Sequence, residues 1–297
     1  MDNSLQNQKG TARLEIGLSS CIFGERPLEE RDFECLRDNG ISQIEIGILR
    51  KGNDWYDPAQ IRKLCHWIER YGMTVNSVHG PSGEPGNGQW LADPDTDRRR
   101  AALAERREVL ESARILGASY LIVEYECYGQ WPYWPEDGQT AVSYEHATEI
   151  WLESLQELLD GACRAGVGLA IENMFGPSCQ ELAQTIQGLD PALVGVCFDS
   201  SHATYGGDGF FDNLRCLAPR IVTTHLSDND GLDAAAWQDR HWAPFQGEIE
   251  WNGLIRTLLD TNYRGCVMLE VLRPENRITE SLQGSIAGIR DLLLNES

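Results

Sequence analysis

Residues 196–202 read VCFDSSH, an apolar run that stops on an acid, and the same form returns through the second half of the chain. LAIEN closes on Glu172 and Asn173, VTTHLSDND passes through His225, and CVMLE ends at Glu270. Along the whole chain, short apolar or alternating runs occur eight times, at 14–18, 43–48, 74–78, 120–124, 167–172, 194–199, 221–226 and 266–271. Each is followed by a stretch with helical spacing, the mark of βαβ units in a parallel sheet. Eight such units could close into a barrel or spread as a doubly wound sheet. Five of the later runs end in His, Glu or Asp, and in a barrel those ends meet at one mouth, where active sites of that fold are built. A doubly wound sheet would scatter them along an edge, and would more often carry a Gly-rich first turn, which is missing. The expected fold is therefore an α/β, single-domain (β/α)8 TIM barrel over residues 1–297, with 1–11 a flexible tail.

The helical stretches carry their own punctuation. Asp57 and Pro58 supply a cap and a first-turn proline, Leu64, Trp67 and Ile68 share a face, and Gly72 sits where the helix should stop. Similar patterns are expected at 99–116, 145–165 and 254–259.

Composition narrows the class. A hydrophobic share of 41% with 24% charged residues fits a soluble globular protein and excludes disorder or membrane residence. The net charge of -21 repels polyanions, so no nucleic-acid partner is expected. The run Arg98 to Arg100 reads as the solvated face of a helix. Nine cysteines without CxxC pairs, among them Cys65, Cys197 and Cys266 within apolar runs, read as reduced core residues. The N-terminus shows no apolar signal core and no run of eighteen apolar residues occurs, so the expected location is cytoplasmic, with no membrane partner. Homo-oligomerisation is left open, because barrel helices form dimer faces without a sequence mark.

Two connections exceed the usual length of βα loops. These are PSGEPGNGQWLADPDTD at 81–97 and CYGQWPYWPEDGQT at 127–140. Their Trp90, Trp131, Tyr133 and Trp134 either wall the C–H faces of a sugar or pack the loops down, and both readings stand.

Glu172, Asp199, His225 and Glu270 end successive strands, five to eight, and should point inward at the mouth. Three carboxylates and an imidazole form a hard, oxygen-rich site suited to one divalent metal, Mn2+ first, with Mg2+, Co2+ or Zn2+ as alternatives. A lone strand-end carboxylate more often caps a helix; four at matching depth do not. His79, ending VNSVHGP, also belongs to the expected site. Asp239 and His241 follow strand seven, where a substrate contact and simple loop capping weigh about equally. His66, His146, Glu126, Asp228 and Glu248 are expected outside the site.

These residues resemble the xylose-isomerase-like superfamily, which joins sugar and sugar-phosphate isomerases and epimerases, inosose dehydratases and AP endonucleases. The specific marks are ENM at Glu172, D-x-x-H at Asp199 and His202, H-x-x-D-N from His225 to Asn229, Asp239-Arg240-His241, and Glu270. The resemblance implies that Glu172, Asp199, His225 and Glu270 hold one divalent metal, that His202 contacts substrate, and that Glu172 and Glu270 flank the carbon whose proton is exchanged. His79, Glu124, Asp239, His241 and Trp131 are expected as further substrate contacts. The endonuclease branch implies a larger, three-zinc ligand set, with counterparts in His79, Glu172, Asp199, His202, His225, Asp239, His241 and Glu270. Glu124 stands where that branch would carry another histidine. Downstream, Gly247-Glu248-Ile249 replaces the family's G-x-G.

A dication that chelates a carbonyl and its neighbouring hydroxyl acidifies the C–H between them by stabilising an enediolate. Carboxylates on either side then move the proton, giving epimerisation or isomerisation, and loss of a β-hydroxyl instead would make a dehydratase. The expected activity is sugar isomerase or epimerase first, lyase second. A phosphodiester hydrolase conflicts with the acidic charge, and a mere binding barrel has no need of this acid set. An uncharged keto-sugar, inosose or sugar-like ring is the expected substrate, although Arg215, Arg240 and Arg273 could anchor an acid group.

Overall fold

Asp57 Oδ1 accepts the Ala59 amide at 2.9 Å, Pro58 occupies the first turn, and Gly72 ends the helix in the left-handed conformation at φ 63°. Capping of this kind recurs around the molecule. Ser143 opens the fourth helix by accepting from the His146 amide, and Gly166 closes it at φ 67°, a backbone conformation that a side chain would resist. The computed structural model describes residues 14–24, 26–47, 57–83, 89–127, 142–204, 209–230, 238–272 and 277–295.

Eight parallel strands alternate with eight helices among these residues. In chain order they are β1 (Ile16–Ser19), α1 (Glu30–Asp38), β2 (Gln43–Ile46), α2 (Pro58–Tyr71), β3 (Thr74–His79), α3 (Thr96–Leu116), β4 (Tyr120–Glu124) and α4 (Tyr144–Ala165). Then follow β5 (Gly168–Glu172), α5 (Cys179–Thr185), β6 (Val194–Asp199), α6 (Phe210–Leu217), β7 (Ile221–His225), α7 (Trp251–Asp260), β8 (Val267–Leu269) and α8 (Glu280–Asn295). The sheet runs in sequence order from β1 to β7, with β8 paired to β1. Closure comes through Leu226, which bridges to Leu269, its amide donating to Met268 O at 2.8 Å. The chain is thus a (β/α)8 barrel. None of the described helices is long and apolar enough to cross a membrane.

Alternation along the strands separates two cores. Leu121, Val123, Leu169, Ile171, Val196 and Phe198 belong to the large cluster shared with the helices. Ile122, Ala170 and Cys197 form a small cluster of their own, with Tyr120 and Val222 against it. Because residues two apart share a face, the inner face of β4 reads Tyr120, Ile122, Glu124, that of β5 Gly168, Ala170, Glu172, and that of β6 Gly195, Cys197, Asp199. Bulky and absent side chains alternate across the interior, so Val222 fills the space beside Gly195. Gly195→Ala drives a methyl into Val222, and overpacking of that kind costs about 1–3 kcal/mol. Urea midpoints should fall in the single variant and partly recover when Val222→Ala is added; an unchanged midpoint for Gly195→Ala contradicts this packing.

Trp90 and Leu91, which precede α3, are held down against the end of β4. Trp90 is fully buried and its Nε1 donates to Glu126 O at 2.8 Å. Arg106, on α3, donates to Glu126 Oε1 and to Pro81 O, both at 2.7 Å, while Leu91 N donates to Glu126 Oε2 at 2.8 Å. Of the two readings open for Trp90, packing is the one observed. Trp131, Tyr133, Trp134 and Arg273 lie outside the described residues, as does the tail at 1–11.

Candidate metal and sugar site

The innermost layer of the barrel mouth is made by strand ends. Glu124, Glu172, Asp199 and His225 are the last residues of β4 to β7, His79 ends β3, and Glu270 follows β8 directly. Register sets their depth: Glu124 pairs with Glu172 and Asp199 with His225. One donor atom from each of Glu172, Asp199, His225 and Glu270 lies within 4.8 Å of the others. His225 Nδ1 is 2.9 Å from Glu172 Oε1 and 3.3 Å from Glu270 Oε2. His79 Nε2 lies 3.3 Å from Glu172 Oε2, with its ring stacked on that of His225 at 5.5 Å.

A second layer surrounds the first. The His202 amide donates to Asp199 Oδ1 at 2.7 Å, and His202 Nε2 stands 3.5 Å from Asp239 Oδ1. That same oxygen is 2.8 Å from His241 Nε2. His241 adopts φ 43°, an uncommon conformation for a residue with a Cβ, in a loop anchored by Asp228. The Asp228 carboxylate accepts from Trp251 Nε1 at 2.8 Å and from the Gln246 and Ile249 amides at 3.1 Å. Gly247 is needed here because a Cβ would run into Asn229 O and Asp228; a second glycine is not, and Glu248 instead donates its amide to Asn229 O. Asp228 and Glu126 are buried packing residues, whereas His66, His146 and Glu248 are exposed.

The electrostatics set buried acids against charged imidazoles. Burial disfavours a charged His79, yet its contact with Glu172 and the charges of Glu172, Glu45 and Glu270 raise it to about 10. His241, opposed by burial in the same way, is raised to about 9 by Asp239, Glu270 and Asp199. His202 and His225 are raised as well. Burial also pushes Asp199, Glu270 and Glu124 upward, while His225 and His79 overcome it at Glu172 and hold that carboxyl well below its usual range. Asp199 Oδ2 is buried with no hydrogen-bond partner, and Glu172 Oε2 has only the long 3.3 Å contact to His79. Such oxygens are costly to leave unpaired, and a divalent ion satisfies them without a proton. The donor chemistry therefore fits a hard or borderline dication. Three further donor groups, His79 with His225 and Glu270, His79 with Glu124 and Glu172, and Asp199 with His202 and His241, are also close enough to hold an ion.

Three arginines among the described residues are paired with acids. Arg240 Nε lies 2.8 Å from Asp230, Arg215 is 3.0 Å from Asp212 on its own helix, and Arg106 is taken by Glu126. One acid escaped the sequence reading. Glu45, on β2, is fully buried and its Oε2 lies 2.8 Å from His225 Nε2. Its only sequence signal is a charged residue between Ile44 and Ile46.

Residues 33–290 match the family model described as xylose isomerase-like TIM barrel. An inosose isomerase of Bacillus velezensis is 21% identical over 253 residues, covering 83% of this chain and 84% of its own. A D-psicose 3-epimerase of Ruminiclostridium cellulolyticum is 25% identical over 222 residues, covering 73% and 69%. Among solved structures, the IolI protein with a bound zinc atom superposes with a TM-score of 0.75 at 17% identity, covering 95% of this chain and 98% of that one.

Proposed function

Since the chain belongs to the xylose isomerase-like TIM-barrel family, we propose that it is a divalent-metal-dependent isomerase or epimerase acting on an uncharged keto-sugar or sugar-like ring. The observation that carries this reading is the convergence of Glu172, Asp199, His225 and Glu270 donors within 4.8 Å. Those four hold the ion, Mn2+ first, with Mg2+, Co2+ or Zn2+ as alternatives; zinc in the IolI structure supports a divalent metal. When bound, the ion polarises a carbonyl and the adjacent hydroxyl and acidifies the C–H between them. Glu172 and Glu270 take up and return the proton, from β5 and from the end of β8. His79, Glu124, His202, Asp239 and His241 hydrogen-bond the substrate hydroxyls, with Trp131 as an apolar wall.

The pairing of Arg240, Arg215 and Arg106 with acids favours an uncharged substrate over a phosphorylated one. The further donor groups around His79 and around His202 with His241 favour a second reading, a hydrolase with three ions, which the net charge of -21 opposes. Elemental analysis and turnover in D2O separate them. The expected result is one divalent ion per chain, with solvent deuterium incorporated next to the carbonyl of a ketose or inosose, because carboxylates exchange protons with water. Three ions per chain and cleavage of abasic DNA would establish the hydrolase. Complete retention of the substrate hydrogen would replace proton transfer by a hydride shift.

A further inference from the structure

We infer that Glu45 is a positioning residue that locks His225 in the tautomer presenting Nδ1 to the metal. This rests on the metal-dependent reading above. The two ring nitrogens of His225 face different surroundings. Nδ1 looks toward Glu172 Oε1 and Glu270 Oε2 at 2.9 and 3.3 Å, inside the converging donor group. Nε2 meets Glu45 Oε2 at 2.8 Å, and Glu45 belongs to none of the donor groups. A carboxylate accepts a hydrogen bond, so Nε2 keeps its hydrogen on Glu45, and Nδ1, which itself contacts Glu172 Oε1 at 2.9 Å, is the nitrogen that sheds its hydrogen when the ring serves as a ligand.

The surroundings of Glu45 suit that task. Ser77 Oγ, on β3, donates to the same Oε2 at 2.7 Å, so two donors converge on one oxygen and fix its position. The other, Oε1, is buried without a partner. Glu126 offers a contrast in the same barrel: its Oε1 receives Arg106 and its Oε2 a backbone amide, the full satisfaction expected of an acid that serves packing. Glu45 has no such guanidinium; its contact reaches from β2 to β7 across 180 residues of sequence. A carboxylate behind a ligating imidazole also increases the basicity of the ligating nitrogen, and losing such a partner typically weakens metal binding about 10–100-fold.

The test is calorimetric titration of the metal-free full chain with Zn2+ and with Mn2+, for wild type, Glu45→Gln, Glu45→Leu and Ser77→Ala. Glutamine keeps an acceptor oxygen but not the charge, so the dissociation constant should rise about 10-fold; leucine removes both and should raise it about 100-fold. Ser77→Ala, which leaves the Glu45–His225 contact in place, should have a smaller effect of the same sign. Long-range 1H–15N spectra of the Zn2+-loaded wild type should show His225 bound through Nδ1 with hydrogen on Nε2, and that signature should be lost in Glu45→Leu. A purely structural role predicts lower melting temperatures for the metal-free variants with unchanged affinity in those that fold, and that result overturns the inference. Should Glu45→Leu fail to fold, Glu45→Gln and Ser77→Ala decide alone: unchanged affinity in both overturns it. A wild type that binds neither ion would sink the metal reading itself; a wild type that binds, with variants equal to it, sinks only the role of Glu45.

Discussion

Glu172→Gln should lose turnover by at least roughly 10³-fold while keeping the wild-type far-UV spectrum. Two losses combine in one atom exchange. An amide neither accepts nor returns a proton, and a positioned acid–base group is commonly worth about 10²–10⁴ in rate. The same change also removes a charged donor from the group formed with Asp199, His225 and Glu270. Assays at saturating Mn2+ restore occupancy and leave the proton-transfer loss, so kcat stays low even when elemental analysis shows a full site. Stability should change in a defined direction too. His225 and His79 hold the Glu172 carboxyl below its usual range, so in the metal-free protein it contributes stability that is complete above the unfolded-state value. That contribution is lost as pH falls through the folded-state value. In the glutamine variant this share of the acid dependence should vanish from the melting curve. Turnover at the wild-type level would remove Glu172 from both roles.

Arg106→Met should be the most damaging single change away from the mouth. Arg106 and Glu126 are both essentially inaccessible and sit 2.7 Å apart, and removing one partner of a buried pair costs about 3–5 kcal/mol by stranding the other charge. For a chain of this size that lowers the melting temperature on the order of 10 °C. The loss should depend on pH. Burial already pushes Glu126 up to about 7 against the pull of Arg106; without the guanidinium it rises further. A carboxyl raised by folding costs stability as pH climbs from its unfolded value through its folded one, so the gap between variant and wild type should widen from pH 5 to pH 8. Adding Glu126→Gln should narrow it. An equal gap at both pH values, measured by thermal melts, would show that lost packing rather than a stranded charge sets the cost.

The late strands were readable because each finishes on a residue whose chemistry is conspicuous. β4 and β6 have the bounds expected from their apolar runs, at Tyr120–Glu124 and Val194–Asp199. β8 is shorter, only Val267–Leu269; beyond it the Glu270 amide still donates to Leu226 O at 3.2 Å and Val271 is buried in the core, which is why the run reads longer in sequence. β1 starts at Ile16 rather than Leu14. Glu45 was hidden for another reason. One acid between two isoleucines reads as the wet face of a strand, and only closure of the barrel turns that face inward, onto a histidine far along the chain. Trp90 shows the same limit in a loop: aromatic residues among glycines and prolines fit a wall or an anchor equally, and the deciding partner, Glu126, lies just past the end of β4.

The pairing of β1 with β8, Ile16 against Val267, sets an order of assembly. During synthesis the first strand must wait for some 250 residues before its neighbour emerges, a long-range contact of the kind that slows folding. Until then one side of β1 is an open edge able to pair wrongly. Glu270 follows that last strand immediately, so the nascent chain cannot assemble its complete set of acids while an edge is still exposed. The four donors of the candidate site therefore come together only late, once the barrel is finished.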